Sequence, residues 1–396
     1  MAGVLARNGV GRGERVVVQV DKSVGNIALY LACLRLGAVY VPLNTAYTDA
    51  EVAYFIGDAR PRVFVGRAGR ADVASLILTD PETGLWADAL AGAPLRDLAE
   101  RTDDDLAAIV YTSGTTGRSK GAMLSHRNLA ANALTLHRLW RFQPGDVLLH
   151  ALPVYHVHGL FVALHCAFLN ASEILFMDRF DVGELRRLMP LASVLMGVPT
   201  FYTRLMAADG FDGAEVAHMR LLISGSAPLT AQAHAAFEAA TGQAILERYG
   251  MTEAGMITSN PYDGPRIAGT VGYALPDVEV RVCDGDGRVL PPGETGVVEV
   301  RGPSIFKGYW GMPDKTADDF RPGGWFITGD LGVLADDGRL TIVGRAKDLI
   351  ISGGLNIYPR EIEALLDAID GIAESAVIGV PDADMGEAVV AVLVPS

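Results

Sequence analysis

Residues 111–120 read Tyr-Thr-Ser-Gly-Thr-Thr-Gly-Arg-Ser-Lys, and they continue a strand-like apolar run that begins at Ala107. Gly114 and Gly117 carry no Cβ, so backbone N–H groups can converge on an anion there without steric obstruction. Lys120 adds a mobile positive charge suited to a polyphosphate. Further donors come from the hydroxyl groups of Thr112, Ser113, Thr115 and Thr116. The stretch therefore predicts a phosphate-binding loop at the end of a buried strand.

Two other interpretations of this loop exist. In a Walker A motif the lysine directly follows a glycine, whereas Arg118 and Ser119 separate Gly117 from Lys120 here. That spacing disfavours a kinase-like or GTPase-like P-loop. An ordinary solvated turn rich in glycine, serine and threonine remains the alternative.

Strand-like and helix-like segments alternate around this loop through the first two thirds of the chain. Short apolar runs predict buried strands at Val16–Val20, Arg62–Val65, Ala107–Tyr111, Ser193–Met196 and Arg220–Ile223. Helical spacing of apolar residues predicts helices at Asn26–Leu36, His126–Trp140, Asp181–Met189 and Thr230–Thr241. This alternation predicts βαβ units around a largely parallel sheet, so the fold class is α/β.

The pattern changes from Glu279 onward. A mostly antiparallel β subdomain is predicted by short alternating strands at Glu279–Cys283, Val297–Arg301 and Leu340–Val343. A small α+β domain is predicted by a strand at Leu349–Ser352, a helix from Pro359 and a strand at Glu374–Val380. We place the boundary at Lys347, which gives a large domain at 1–346 and an incomplete C-terminal domain at 347–396.

Composition restricts the class of partner. The formal net charge is -14 and 50% of the residues are hydrophobic, so a large core can form. We expect neither nucleic acid nor an anionic membrane as a partner, because an acidic surface repels phosphates. The three cysteines have no metal-like spacing, and no signal peptide is visible, so we expect a cytoplasmic protein.

Six ordered segments resemble motifs of the adenylate-forming superfamily, which comprises acyl-CoA synthetases, peptide-synthetase adenylation domains and firefly luciferase. The phosphate loop is the first of them. The other five are Ser224–Pro228, Tyr249–Glu253, Trp325–Asp330, Gly344–Asp348 and Ser352–Pro359. Because they occur in the family's order across nearly the whole chain, the resemblance implies its fold and its activity. That activity joins a small carboxylic acid to a thiol through an acyl-adenylate.

The resemblance also implies a role for each matching residue. Lys120, Thr252 and Glu253 would act on the phosphates, with Thr252 bonded to the α-phosphate, and Glu253 and Thr116 would hold Mg²⁺. Tyr249 would lie against adenine, and Asp330 and Arg345 would hold the ribose. The remaining nucleotide-binding positions are Thr112, Ser113, Gly114, Thr115, Gly117, Ser224, Gly225, Ser226, Ala227, Glu247, Arg248, Gly250 and Met251. The implied cofactors are ATP, Mg²⁺ and coenzyme A.

The second half-reaction of such enzymes involves rotation of the small domain. The resemblance places the hinge at Lys347 and a channel for the pantetheine arm at Gly353 and Gly354. An absent side chain leaves room for a narrow arm.

The acid is indicated by two further segments. His156 matches a histidine that lies between the acyl pocket and the phosphates. Val157, His158 and Met256 should border the acid. Met256 is expected to do so from a helix after the adenylate motif. The segment from Thr258 to Arg266 resembles malonyl-CoA synthetases, in which the arginine matching Arg266 binds the second carboxylate. A planar guanidinium suits a dianionic substrate in a partly dry pocket.

Two alternatives to a malonate enzyme stay open. One is a medium-chain or aryl acid–CoA ligase with Arg266 at the surface. The other is a catalytically silent nucleotide-binding fragment. It is supported only by the end of the chain at Ser396, which precedes the family's late lysine. The chain also starts in what resembles the middle of a helix. From those ends we expect poor adenylation with nucleotide binding retained, and a marginally stable small domain.

Overall fold

The computed structural model describes residues 1–78, 84–112, 118–352, 355–382 and 385–395. These residues form four β-sheets, with helices between and against them. The fold class predicted from the sequence, α/β with a large N-terminal part and a small C-terminal part, is confirmed.

The first sheet has the strand order β4-β3-β1-β2-β5-β6. All its neighbouring strands are parallel except β6, which returns antiparallel to β5. Valine-rich strands buried on both faces suit such a sheet. Its strands are β1 (Arg15–Gln19), β2 (Val39–Pro42), β3 (Val63–Gly66), β4 (Ser75–Ile77), β5 (Leu106–Thr112) and β6 (Lys120–Ser125).

The second sheet has the order β13-β12-β11-β10-β9-β7-β8, and strands β7 to β11 are parallel. Strands β12 and β13 are antiparallel additions at one edge. The strands are β7 (Val147–His150), β8 (Glu173–Phe176), β9 (Val194–Gly197), β10 (Leu221–Ser224), β11 (Leu246–Met251), β12 (Gly255–Ser259) and β13 (Tyr273–Ala274).

The other two sheets are antiparallel, as the short alternating strands from Glu279 predicted for the third of them. The third comprises β14 (Glu279–Cys283), β15 (Thr295–Arg301), β16 (Phe320–Arg321), β17 (Trp325–Leu334) and β18 (Leu340–Arg345). The fourth comprises β19 (Ile350–Ser352), β20 (Leu355–Ile357), β21 (Ile372–Asp382) and β22 (Gly386–Pro395).

Helices connect the strands of the first two sheets. Local chemistry fixes their ends: Thr48 and Glu51 form a capping box at α3, and α2 ends at Gly37 with a φ of 65°. The helices are α1 (Ala2–Arg7), α2 (Val24–Leu36), α3 (Asp49–Ala59), α4 (Gly84–Ala91), α5 (His126–Leu139), α6 (His165–Asn170), α7 (Val182–Leu188), α8 (Pro199–Met206), α9 (Ala231–Thr241), α10 (Pro313–Asp318) and α11 (Pro359–Leu366). Among the described residues, no helix is long and apolar enough to cross a membrane.

The carboxyl ends of the two parallel sheets meet. Thr112, at the end of β5, donates to Glu253 beyond β11 across 3.3 Å, and Lys22 beyond β1 donates to the carbonyl of His150 at the end of β7 across 2.8 Å. In open α/β sheets, ligands bind outside the carboxyl ends of the strands. The crevice between these two edges is therefore where the predicted site should lie.

Candidate active site

The phosphate loop connects β5 to β6, but its central residues Ser113–Gly117 lie outside the described residues. The two flanking positions are described. Thr112 ends β5, and Lys120 begins β6 with 8% of its surface exposed. The strand on which the loop prediction depended is therefore present, whereas the predicted contacts of the five central residues stay predictions.

Lys120 and Glu253 both contact Tyr309. The Lys120 ammonium lies 4.4 Å from the centre of the Tyr309 ring, and the Tyr309 hydroxyl donates to Glu253 Oε1 across 3.1 Å. Burial raises the pKa of Glu253, while the bonds from Tyr309 and Thr112 and the charge of Lys120 oppose that rise. Glu253 is 6% exposed. The structure thus places the predicted phosphate lysine and the predicted metal carboxylate in one cluster.

Thr252 and Glu253 occupy a tight turn between β11 and β12. Ala254 N donates to Met251 O across 3.2 Å, and Gly255 has a φ of 65°, which reverses the chain. Thr252 borders the same small cavity as Val157. The predicted α-phosphate residue therefore lies beside a residue predicted to border the acid.

Met256 lies in strand β12, so the expectation of a helix after the adenylate motif was wrong. The reversal at Gly255 pairs this segment with β11 instead of extending it as a helix. Asn132 of α5 holds the strand, because its side chain accepts from Met256 N at 3.1 Å and donates to Met256 O at 2.9 Å. Met256 itself is buried.

Three elements contribute to the predicted ribose site. Tyr249 of β11 donates its hydroxyl to Asp330 Oδ2 across 2.5 Å, and Arg345 Nε lies 3.3 Å from Asp330 Oδ1. Asp330 and Arg345 are register partners on β17 and β18. Burial raises the pKa of Asp330, and its two partners oppose that rise. The structure thus places Tyr249, predicted to lie against adenine, in contact with the predicted ribose residue Asp330.

The predicted adenine segment follows strand β10. Ser224 is buried, whereas Ser226 and Ala227 are exposed, and Ser226 has a φ of 70°, an uncommon backbone conformation for a residue with a side chain. Gly225 lies directly against Arg248, since a Cβ at this position would lie 2.4 Å from the guanidinium carbon. The packing of Arg248 therefore requires a glycine at position 225, whatever ligand binds there.

Arg248 is a buried cation with an incomplete set of partners. It is 3% exposed, and its Nε has no hydrogen-bond partner among the described residues. Its Nη2 donates to Ser226 Oγ at 3.4 Å. Burial lowers the pKa of Arg248 to about 9. A buried guanidinium without an anion is costly, so this group lacks a partner that a ligand can supply.

His158 completes a polar cluster around Ser226. Its Nδ1 lies 3.2 Å from Ser226 Oγ, and its Nε2 is buried without a partner in the described part of the chain. Burial, followed by the charge of Arg248, holds the pKa of His158 well below its usual range. Because Ser226 Oγ accepts from Arg248, its own proton is available to His158 Nδ1, which leaves Nε2–H as a donor.

Glu247 is buried next to Arg248 in strand β11. Burial raises its pKa to about 8, and the backbone N–H groups of Leu229 and Gly269 oppose that rise. Its Oε2 has no hydrogen-bond partner among the described residues. Gly250 must lack a side chain, because a Cβ there would lie 2.3 Å from Gly255 O in the turn between β11 and β12.

Arg266 has other partners than those predicted. Its guanidinium donates to three backbone carbonyls, those of Ala244 at 2.6 Å, Tyr262 at 3.2 Å and Pro261 at 3.4 Å. These bonds occupy Nη1, Nη2 and Nε, and they fix the loop that carries Arg266 itself. The predicted contact with a second carboxylate stays a prediction, whereas the Nε of buried Arg248 has no hydrogen-bond partner among the described residues.

Of the remaining predicted residues, His156 and Lys347 are described and both are exposed. His156 is exposed to solvent, with its ring 4.7 Å from that of Tyr155, and the surrounding protein lowers its pKa. Lys347 is exposed in the short turn Ala346–Asp348. Gly353 and Gly354 lie outside the described residues.

Sequence reasoning missed Tyr309 and Asn132. Both are buried, and both act on residues far away in the chain, so no local pattern singles them out. The only signal in the sequence was the position of Asn132 on the inward face of a predicted helix.

Comparison with known families and proteins gives consistent matches. The AMP-binding enzyme family matches residues 1–310, and the AMP-binding enzyme C-terminal domain matches residues 361–396. The chain is 36% identical over 426 residues to a mitochondrial malonate–CoA ligase of Mus musculus, covering 96% of this chain and 73% of that protein. It is 33% identical to a feruloyl-CoA synthase of Amycolatopsis sp, covering 100% of this chain and 81% of that protein.

Among solved structures, the chain resembles ATP-bound MatB from Rhodopseudomonas palustris. The TM-score is 0.97 and the sequence identity is 53%, over 100% of this chain and 81% of that chain.

Proposed function

The chain belongs to the AMP-binding enzyme family, and from that premise we propose that it is an ATP-dependent, AMP-forming acid–CoA ligase whose acid is malonate or methylmalonate. The relatives that support this proposal are a malonate–CoA ligase and the MatB structure. The observation that carries the choice of acid is the buried Arg248 with its unpartnered Nε.

The choice of a dicarboxylic acid follows from charge. A monocarboxylic acid has one carboxylate, which must face the α-phosphate and leaves Arg248 without an anion. The second carboxylate of malonate would supply that anion. Arg248 Nε–H and His158 Nε2–H are two donors to it that have no partner among the described residues. Val157 and Met256, both buried, would limit the size of the α-substituent.

In the proposed first step, a carboxylate oxygen of the acid attacks the α-phosphorus of ATP and pyrophosphate leaves. The reaction brings several anions together, so positioning and charge compensation supply most of the catalysis. Lys120 and Thr252 compensate charge on the phosphates. Tyr249, Asp330 and Arg345 hold the nucleoside, and His156 stands between the acid and the phosphates.

Magnesium belongs to the same proposal. Among the described residues no cluster of three metal-ligating side chains exists, which suits an ion held mainly by phosphate oxygens and one carboxylate. Glu253 fits that carboxylate. The hydroxyl groups of Thr112 and Tyr309 both donate to its Oε1, and neither bonds its Oε2. When bound, Mg²⁺ would neutralise phosphate charge; Thr116 is the second proposed ligand.

Thiolysis by coenzyme A completes the proposed reaction. Lys347 lies exposed in the turn that leads to the fourth sheet, a position that suits a hinge between domains at 1–346 and 347–396. Gly353 and Gly354 are proposed to border the pantetheine arm. We also propose a cytoplasmic location, which the three free, buried cysteines favour.

A panel of acids tests the proposal. Malonate, methylmalonate, octanoate and benzoate are each supplied with ATP, Mg²⁺ and coenzyme A, and the acyl-CoA product is quantified by mass spectrometry. We expect product with malonate and methylmalonate, and at least about tenfold less with the two monoacids, because neither pairs with Arg248. Preferred use of octanoate or benzoate would overturn the assignment.

A second candidate is favoured by one comparison. The similarity to a feruloyl-CoA synthase supports an aryl acid as substrate. Benzoate in the panel distinguishes this candidate. A parallel incubation of preformed malonyl-adenylate with coenzyme A identifies a silent nucleotide binder, which forms no thioester.

A further inference from the structure

Tyr309 lies between the two charged groups of the phosphate site. One face of its ring receives the Lys120 ammonium at 4.4 Å, and its hydroxyl donates to Glu253 Oε1 at 3.1 Å. Lys120 and Glu253 are both buried and both belong to the described residues, yet no ion pair joins them. Two opposite charges in a dry site attract each other strongly, so something must keep them apart.

The backbone around Tyr309 is fixed next to the phosphate loop. Met123 N donates to Gly308 O at 3.0 Å, and Trp310 N donates to Gly121 O at 2.8 Å. Tyr309 N donates to the Thr316 hydroxyl at 2.9 Å, and the Tyr309 ring packs edge-on against Phe306 with 4.9 Å between ring centres. Segment 307–310 therefore pairs with strand β6, directly beside the residue that begins it.

We propose that Tyr309 is a positioning residue that separates the phosphate lysine from the metal carboxylate and orients that carboxylate. The ring holds Lys120 by a cation–π contact, which leaves the ammonium its charge for a phosphate. The hydroxyl fixes Oε1 of Glu253, together with Thr112, so that Oε2 is presented to a metal ion. This inference rests on the proposed function, because it concerns the same nucleotide site.

The ring and the hydroxyl have separable roles, and two variants separate them. Tyr309→Phe keeps the spacer and the cation–π contact but removes the bond to Glu253. Tyr309→Leu also removes the aromatic face, so Lys120 and Glu253 can pair directly. Tyr273→Phe is a matched control, because it removes a tyrosine–carboxylate bond of 3.2 Å to Asp337 at the surface.

Two binding titrations test the roles of the Tyr309 ring and hydroxyl without measuring catalysis. Binding of Mn²⁺ to the protein with a non-hydrolysable ATP analogue is followed by electron paramagnetic resonance, and binding of ATP in EDTA is followed by calorimetry. For Tyr309→Phe we expect Mn²⁺ affinity to fall about 10-fold while metal-free ATP affinity stays within about 2-fold. For Tyr309→Leu we expect both affinities to fall at least about 5-fold, and for Tyr273→Phe neither to change.

Unchanged Mn²⁺ affinity in folded Tyr309→Phe overturns the proposal, as do identical losses in Tyr309→Phe and Tyr309→Leu. If Tyr309→Leu does not fold, the comparison of Tyr309→Phe with Tyr273→Phe decides alone. A wild-type protein that binds neither ATP nor nucleotide-dependent Mn²⁺ refutes the proposed function, and the role of Tyr309 with it.

Discussion

At the scale of single residues, two arginines in neighbouring segments differ in whether their hydrogen-bond donors already have partners. Arg248 is buried against Gly225, and its Nε has no hydrogen-bond partner in the described part of the chain, whereas Arg266 donates to three backbone carbonyls. The proposed specificity depends on the first, and the shape of a loop depends on the second. Sequence alone favoured Arg266, because a resemblance shows which segment is similar but not which donors are already occupied.

The variants Arg248→Met and Arg266→Met are therefore expected to differ. Arg248→Met should lower kcat/KM for malonate roughly 10²–10³-fold, since loss of a partner from a buried ion pair costs ~3–5 kcal/mol. Propionate, which lacks the second carboxylate, should be used about as poorly as before. Arg266→Met should keep malonate use within about tenfold and lower the free energy of unfolding by about 1–3 kcal/mol, because carbonyls lose their donors.

Steady-state kinetics with both acids and urea unfolding of both variants check this pair. The reverse result, with malonate use lost in Arg266→Met and kept in Arg248→Met, would return the second carboxylate to Arg266.

At the scale of elements, strand β7 and the helical turn that follows it are joined by a buried histidine. His150 donates Nε2–H to Gly159 O at 2.9 Å, and its ring stacks on Phe176 with 5.4 Å between ring centres. Burial, followed by the charge of Lys22, lowers the pKa of His150 to about 3. The histidine therefore holds this part of the crevice in its neutral form.

The sign of the pH effect follows from that lowered pKa. An unfolded histidine titrates near pH 6.5, so between about pH 6.5 and 3 the unfolded chain binds a proton that the folded chain refuses. Stability that is fully present above pH 6.5 is thus lost as the pH falls.

His150→Gln keeps a donor but does not titrate. Between pH 7 and pH 4.5 we expect the wild-type unfolding free energy to fall about 2–3 kcal/mol more than that of His150→Gln. Equal slopes in urea unfolding across this range would contradict it.

The elements themselves were largely predictable, and their long-range contacts were not. Runs such as Val63–Gly66 and Leu221–Ser224 are recognisable because buried parallel strands are apolar on both faces. The polar strand β6 and strand β12 were missed, because they are defined by antiparallel pairing and by the turn at Gly255. The clustering of Lys120, Tyr309 and Glu253 depends on tertiary pairing, which no local pattern contains.

At the scale of the whole molecule, the proposed site lies where the carboxyl edges of two parallel sheets face each other. In this proposal the first sheet contributes Thr112 and Lys120 beside the phosphate loop, and the second contributes the proposed adenine segment, Arg248 and the Thr252–Glu253 turn. The third sheet would add Asp330 and Arg345 for the ribose. A nucleotide in the crevice would thus touch all three sheets, while the acid would contact the second.

The central claim is that a malonate carboxylate attacks the α-phosphorus of ATP in this crevice. The most direct test supplies malonate labelled with oxygen-18 in its carboxylates, together with ATP, Mg²⁺ and coenzyme A, and analyses the nucleotide products by mass spectrometry. Our account predicts AMP that carries one oxygen-18 atom, formed in equal amount with unlabelled pyrophosphate. Malonyl-CoA formed together with unlabelled AMP, or with ADP and labelled phosphate, would contradict it.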